Sequence, residues 1–206
     1  MVVIPKPNKP SYDNPKAFRP IVLLNTLGKL IEKVIAERLQ FLVASNNFIH
    51  PSQLGGLKFK STADAGIALT HIIRSGWAKR RFTSTLAFDI SQYFPSLNHR
   101  LLTLILKKAG LDPKVVSFFS NYITQRCTKY LWNSFSSPLF EVNVGVEQGS
   151  ALSPILSSLY LSPLLFILEN RLKILKIPIS ILSFVDDGLF ICQNKYFHIS
   201  NSHLFL

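Results

Sequence analysis

From Asn25 onward, apolar residues return every three or four positions. Leu27, Leu30, Ile31, Val34, Ile35, Leu39 and Leu42 form one stripe, while Lys29, Glu32, Lys33, Glu37 and Arg38 lie mostly off it. That spacing predicts an amphipathic helix with the stripe turned to a core. A second helix is predicted to open at Ser61-Thr-Ala-Asp64, a capping box with Asp in place of the usual Glu, and to run to about Lys79. Thr83 to Ile90 reads as a strand, with a turn near Pro95. Leu97 to Ala109 reads as a helix stopped by Gly110, and Asp112-Pro113 as the cap and first position of another helix through about Gln125. Residues 127–146 read as two strands joined through 133–138, and 145–149 as a loop. Ser150 to Leu172 is mostly helix, and Ile179 to Cys192 a hairpin folded at Asp186-Asp187-Gly188. Residues 1–20, rich in Pro and Lys, read as an extended arm. Strands and helices in this order, without repeats, predict an α+β fold rather than regular βαβ alternation.

Composition adds a partner class to this picture. With 206 residues and 48% hydrophobic content, the chain is large enough for one domain, or two small ones, with a real core. Its formal net charge of +12 is spread along the sequence rather than gathered in a tail, which is the electrostatic footprint of a nucleic-acid binder. Cys127 and Cys192 have no metal-ligand or disulfide spacing, as suits a reducing compartment. The N-terminal residues carry no apolar core of a signal peptide. Gln148 to Leu168 is uncharged and near the length of a membrane span, but Pro154, Pro163 and its many serines favour a buried helix.

Against that basic background, Asp186 and Asp187 are the one adjacent acidic pair, inside the otherwise apolar stretch Ile181-Leu-Ser-Phe-Val-Asp-Asp-Gly-Leu-Phe-Ile-Cys192. Two neighbouring carboxylates in apolar surroundings repel each other and resist desolvation, so they call for a cation or an exposed turn. Asp89 ends another apolar strand, where a surface acid is out of place. Three such carboxylates are the donor set of two-metal catalysis, in which hard cations take oxygen ligands. An ordinary solvated turn at 186–188 and a capping Asp89 remain the plainer alternatives.

At these residues the sequence resembles a known family. Phe184-Val-Asp-Asp187 is similar to the paired-aspartate tetrapeptide of reverse transcriptases, and Phe88-Asp-Ile-Ser-Gln-Tyr-Phe-Pro-Ser-Leu-Asn-His99 to the block of their first catalytic aspartate. Gln148-Gly-Ser-Ala-Leu-Ser-Pro154, Ile4-Pro-Lys-Pro7, Phe18-Arg-Pro-Ile-Val-Leu-Leu-Asn25, Leu27-Gly-Lys-Leu-Ile-Glu-Lys33 and Ser61-Thr-Ala-Asp64 agree with further blocks, in the family's order. Together they resemble the reverse transcriptase domain of a non-LTR (LINE-type) retrotransposon, of a fungal type.

The resemblance implies a polymerase palm, a small antiparallel sheet backed by helices at about 97–125 and 151–172 (residues 81–206). A mostly helical fingers region, with its basic arm, occupies residues 1–80. It implies an RNA-directed DNA polymerase that joins dNTPs to a primer 3′-hydroxyl on an RNA template. Asp89, Asp186 and Asp187, with the backbone carbonyl of Ile90, would hold two Mg²⁺ ions, for which Mn²⁺ could substitute. Lys6 and Arg19 would hold the triphosphate, Phe94 would exclude a 2′-hydroxyl, and Gln148 with Gly149 would approach the incoming nucleotide. Taken without the family, Lys6 is a solvated lysine, Phe94 a core aromatic, and Gln148-Gly149 a helix-entry turn. His99, Phe118 and Phe119 carry structural readings only, and Lys79-Arg80-Arg81 and Lys107-Lys108 are mostly solvated.

Three departures stand out. Val185 replaces the usual alanine before the aspartates. Ser52-Gln-Leu-Gly-Gly-Leu-Lys-Phe-Lys60 differs from the customary Gly-Phe-Arg run, which puts template contacts there in question. The sequence stops soon after the aspartate pair, with no thumb following and no endonuclease preceding, so an assembled metal site with weak or absent processive synthesis is expected. The competing expectation from a different class is a catalytically impaired remnant that only binds nucleic acid. Partners are therefore an RNA template, a DNA primer and dNTPs, with no membrane and no stated oligomeric state. The expected location is intracellular, and nuclear if the chain acts in retrotransposition.

Overall fold

The computed structural model describes residues 1–124 and 126–196, and these fall into two compact units that are each discontinuous in sequence. One comprises Met1–Leu39 and Gln92–Ser153. The other comprises Gln40–Ser91 and Pro154–Leu206, whose described residues end at Tyr196. The expected fold class holds: helices and small, mostly antiparallel sheets alternate irregularly, as in an α+β protein, the pairing of Val2 with Leu131 being parallel.

In the first unit, β1 (Val2–Pro5) and β2 (Phe18–Ile21) pair antiparallel, Ile4 opposite Arg19. The arm expected at 1–20 is therefore a strand pair. Its closing loop carries a short 3-10 turn at Pro15–Ala17, capped by the Asn14 side chain, and Lys6 N extends the ladder by donating to Ala17 O at 2.8 Å. Helix α1 (Thr26–Asn46) follows and continues into the second unit.

The face that α1 buries differs from the apolar stripe. Leu27, Leu30, Ile31 and Val34 are exposed, whereas Glu32, Ala36, Leu39 and Val43 are buried. The buried set keeps helical spacing, so the amphipathic period was sound. Its direction was set by a carboxylate whose partners lie far away in sequence, described below.

In the second unit, α2 (Thr62–Ala78) begins at the predicted capping box. Ser61 Oγ accepts from Asp64 N at 3.3 Å, and the Asp64 carboxylate accepts from Ser61 N at 2.7 Å. Helix α2 packs on a three-stranded antiparallel sheet of order β3-β9-β8, with β3 at Phe82–Asp89, β8 at Ile179–Phe184 and β9 at Asp187–Asn194. Gly76 in the last turn of α2 lets Gln193 approach and donate to Ile72 O at 2.6 Å.

Between β3 and β8 the chain builds the rest of the first unit. A short helix α3 (Tyr93–Ser96) is followed by α4 (His99–Lys108) and α5 (Pro113–Ile123), close to the expected bounds. Asn98 caps α4 and Asp112 caps α5, and Gly110 takes the left-handed conformation where α4 stops. The two helices pack together, burying Leu102 and Leu106 on one and Val116, Phe119 and Ile123 on the other. Each such side chain removed from water contributes roughly 1.5–3 kcal/mol. Phe119 is core as expected, but Phe118 is 39% exposed. His99 is buried and its Nε2 lies 2.7 Å from Gly145 O, a structural role.

The expected two strands over 127–146 are four short ones: β4 (Arg126–Thr128), β5 (Leu131–Trp132), β6 (Phe135–Ser136) and β7 (Phe140–Val142). Here β4 pairs β7, while β5 pairs β6 and also β1. The inner turn is tighter than expected because Asn133 adopts positive φ, a conformation Asn tolerates.

Helix α6 (Ser153–Ile174) occupies the uncharged stretch. Among the described residues it is the one helix long and apolar enough, by length and composition, to cross a membrane, a test that a buried core helix also passes. Its serines are spent on protein contacts. Ser158 Oγ donates to Gly55 O at 2.7 Å, and Ser162 Oγ accepts from His50 N at 3.1 Å, both pairs being in the second unit.

Candidate active site

The three candidate aspartates lie at one end of the β3-β9-β8 sheet. Asp89 is the last residue of β3 and stands directly opposite Asp187, the first residue of β9. Side chains opposite each other in an antiparallel pair emerge on the same face, so these two carboxylates are neighbours. Both are exposed. Asp186 occupies the turn, and its carbonyl oxygen accepts from Ile90 N at 3.3 Å, which ties the residue after Asp89 to the hairpin.

The hairpin folds one residue earlier than the sequence suggested. Phe184 pairs with Asp187, so Val185 and Asp186 form a two-residue turn and Gly188 belongs to the strand. Gly188 serves packing rather than turning: a Cβ there would sit 2.5 Å from Phe88 Cε1, and Phe88 stacks on Phe190 with centroids 5.0 Å apart. Val185 takes φ +59°, a conformation that is costly for a β-branched side chain.

A neighbouring loop holds this strained turn in place. Gln53 Oε1 accepts from Val185 N at 2.9 Å and from Gly55 N at 2.9 Å. Gln53 Nε2 donates to Val185 O at 3.2 Å and to Ser183 Oγ at 3.1 Å. Backbone bonds Leu54 N to Ser183 O and Ser183 N to Ser52 O, each 2.8 Å, zip the loop onto β8. Gly55 presses so closely that a Cβ would stand 2.6 Å from Val185 Cγ2 and 2.8 Å from the Phe184 carbonyl carbon. In the sequence, 52–60 stands out only as a departure that puts template contacts in question. The Gly55-Gly56 pair was the available signal of close backbone approach.

Electrostatics mark the same spot. Burial pushes the Asp186 carboxyl above the usual carboxylate range, and the charges of Asp187 and Asp89 push it further, with a backbone hydrogen bond opposing them. No three acidic, histidine or cysteine side chains converge closely enough, among the described residues, to hold a metal ion as they stand. The donor chemistry nevertheless fits a hard divalent cation: oxygen-only ligands, adjacent like charges, and a carboxyl whose ionisation an added positive charge would favour. Beside Asp187 an apolar cavity of about 320 Å³ opens between α2 and the sheet, bordered by Ala65, Leu69, Ala87 and Leu189. Its walls are unsuited to a triphosphate.

The other candidate residues all belong to the first unit. Arg19 is exposed on β2, and Lys6 continues the paired strand beside it. One residue past β2, Val22 N donates to Gln148 O at 2.8 Å, so the strand carrying Arg19 is joined to the loop carrying Gln148. Gly149 has φ +104° and a Cβ there would stand 3.0 Å from Val22 O, so a side chain would strain the backbone and crowd the strand. Phe94 lies in α3, where its carbonyl accepts from Val146 N at 2.8 Å. Lys6, Arg19, Phe94, Gln148 and Gly149 are thus joined through one backbone network.

A buried carboxylate in this unit was missed by sequence reading. Glu32 is 4% exposed and accepts from the Tyr122 hydroxyl, from Ser150 Oγ at 2.8 Å and from Ala151 N at 3.1 Å. Burial, and then the hydrogen bond to Glu32, push the Tyr122 phenol far up, which keeps it a donor. Nearby, Arg126 Nη1 lies 3.4 Å from Glu147 Oε1, a charge pair whose geometry falls short of a hydrogen bond. Burial raises the Glu147 carboxyl, Arg126 opposes this, and Glu32 adds to it.

Comparison with known proteins covers nearly the whole chain. The model of the family described as reverse transcriptase (RNA-dependent DNA polymerase) matches residues 4–204. The chain is 30% identical over 164 residues to the probable RNA-directed DNA polymerase from transposon BS of Drosophila melanogaster, a match covering 80% of this chain and 18% of that protein. It is 28% identical over 199 residues to the retrovirus-related Pol polyprotein from type-1 retrotransposable element R2 of Popillia japonica, covering 91% of this chain and 27% of that protein. The chain therefore spans only about a fifth to a quarter of the length of these relatives, which are insect proteins and do not bear on a fungal source. Among solved structures, apo telomerase from Candida tropicalis truncated from its C-terminal domain superposes with a TM-score of 0.60 at 17% identity, over 85% of this chain and 35% of that one. Telomerase from Candida albicans, solved with a fragment of telomeric RNA, gives 0.60 at 13% identity, over 85% of this chain and 32% of that one.

Proposed function

The chain belongs to the reverse transcriptase family, and from that premise we propose that it is the polymerase segment of a non-LTR retrotransposon protein. Its reaction is addition of dNTPs to a primer 3′-hydroxyl on an RNA template. The observation that carries this reading is the placement of Asp89 opposite Asp187, with Asp186 in the adjoining turn.

Asp89, Asp186, Asp187 and the Ile90 carbonyl are the residues that would hold Mg²⁺, with Mn²⁺ as a substitute. Bound there, two such ions supply charge neutralisation for the attacking and leaving oxygens of nucleotidyl transfer. Arg19 and Lys6 bind triphosphate oxygens, Arg19 with the fork geometry suited to phosphate. Phe94 excludes the 2′-hydroxyl, and Gln148 with Gly149 lines the incoming nucleotide. The net charge of +12 favours a polyanionic template–primer. An RNA partner is also supported by the telomerase neighbour solved with RNA. Residues 1–80 serve as fingers and 81–206 as palm, a functional division that cuts across both compact units. The setting is intracellular, and nuclear where the element inserts.

Primer extension on a homopolymeric RNA template tests this reading. Mg²⁺-dependent dNTP incorporation that Asp186→Ala abolishes is the expected result. RNA binding with steep salt dependence but no incorporation would instead identify a remnant that only binds nucleic acid.

A further inference from the structure

Gln148 and Gly149 sit in an irregular loop, and loops hold a ligand contact only when something fixes them. One side of this loop is fixed by β2, through Val22 N and Gln148 O at 2.8 Å. The other side is fixed by α1. Glu32 Oε2 accepts from both Ser150 Oγ and Ala151 N, at 2.8 and 3.1 Å, while Oε1 accepts from the Tyr122 hydroxyl. Ser150 Oγ also accepts from Leu152 N at 3.1 Å and lies 3.2 Å from the Tyr122 oxygen. All these groups belong to the first unit.

A carboxylate at 4% exposure, held by two hydroxyls and a backbone amide, is an expensive way to fasten a loop. Apolar packing of similar volume is commonly as stable or more so, and the best-attested use of a buried ionic group is to specify one arrangement. Three donors converge on one side chain, two of them from the residues that follow Gly149. We infer that Glu32 is a positioning residue, a clasp that sets Gln148 and Gly149 for the incoming nucleotide. The inference rests on the reading of that loop as a nucleotide contact. Glu32 touches no reacting atom itself.

The test pairs amide hydrogen exchange with steady-state kinetics on the 206-residue chain. In Glu32→Ala, exchange across 148–152 rises about tenfold or more while β3 and β9 keep wild-type rates. The KM for dNTP rises about tenfold, with kcat within about threefold. Glu32→Gln keeps an acceptor oxygen for Ser150 and Ala151 and restores most of both effects. Should Glu32→Ala unfold, Tyr122→Phe removes one donor and gives the same pattern at smaller size. Unchanged exchange across 148–152 in folded Glu32→Ala, or no restoration by Gln, overturns the clasp. A loosened loop with unchanged KM supports the clasp and overturns the nucleotide role of Gln148 and Gly149. If the wild-type chain incorporates no dNTP, the proposed function fails, while exchange still decides the clasp.

Discussion

Asp89 faces Asp187 across the β3–β9 ladder, the last residue of one strand against the first of the other. Like charges directly opposite in an antiparallel pair destabilise it. Asp187→Asn should therefore raise the melting temperature of the metal-free chain. It should also shrink the further rise that millimolar Mg²⁺ gives the wild type, because a ligand binding only the folded state stabilises it by mass action. Thermal melts with and without Mg²⁺ check both signs. A variant melting below wild type in the absence of metal would show that the two carboxylates do not strain each other.

Val185 carries the turn at φ +59°. Glycine or asparagine adopts that conformation readily, so Val185→Asn should stabilise the chain by about 1 kcal/mol, read from urea unfolding. If Val185→Asn lowers stability, the side chain contributes more by packing than it costs in backbone strain.

Gln53 satisfies both backbone groups of Val185. Gln53→Leu leaves those groups, Gly55 N and Ser183 Oγ without this partner, and should cost about 2–3 kcal/mol, the upper part of the usual range for single substitutions. Gly55→Ala should cost about 1–3 kcal/mol by overpacking against the Val185 backbone. Both variants should also lower dNTP incorporation more than their stability loss explains, since they displace the turn carrying Asp186.

The ionisation of Glu147 predicts a pH effect of definite sign. Its folded value is raised above the ordinary 4.5, chiefly by burial, so the folded chain takes up this proton before the unfolded chain as pH falls. The charged group is penalised above the raised value, and the penalty is gone below 4.5. Wild-type stability should therefore gain, relative to Glu147→Gln, as pH is lowered through that window. Denaturant melts of the two proteins at a series of pH values measure the difference, and the subtraction removes the same-signed contribution of Asp186. A difference that stays flat or shrinks on acidification would contradict the assignment.

Local signals in the sequence were sufficient for local structure. Ser61 with Asp64, Asp112 with Pro113, and Gly110 each fixed a helix end because cap and backbone lie within a few residues. The direction of α1 was not legible in this way. Glu32 is buried because Tyr122 and Ser150, 90 and 118 residues away, supply its donors, and no period within the helix encodes them. The fold point of the hairpin shows the same limit. Gly188 resembles a turn residue until the ring of Phe88, from another strand, is seen to occupy the space a side chain would need. The aspartates themselves were legible because carboxylates in apolar strands violate a local rule. The loop that braces their turn violates none.

The interleaving of the two compact units has a practical side. Each is assembled from two separate stretches, 1–39 with 92–153 and 40–91 with 154 onward. A fragment cut at residue 80 would carry one piece of each and complete neither, so dissection by truncation would yield unfolded polypeptide. Both units must close over intervening segments of about fifty residues or more. Loop-closure entropy precedes such contacts, so refolding should be slower than the helical content suggests. Point substitution, rather than excision, is the means by which this chain can be taken apart.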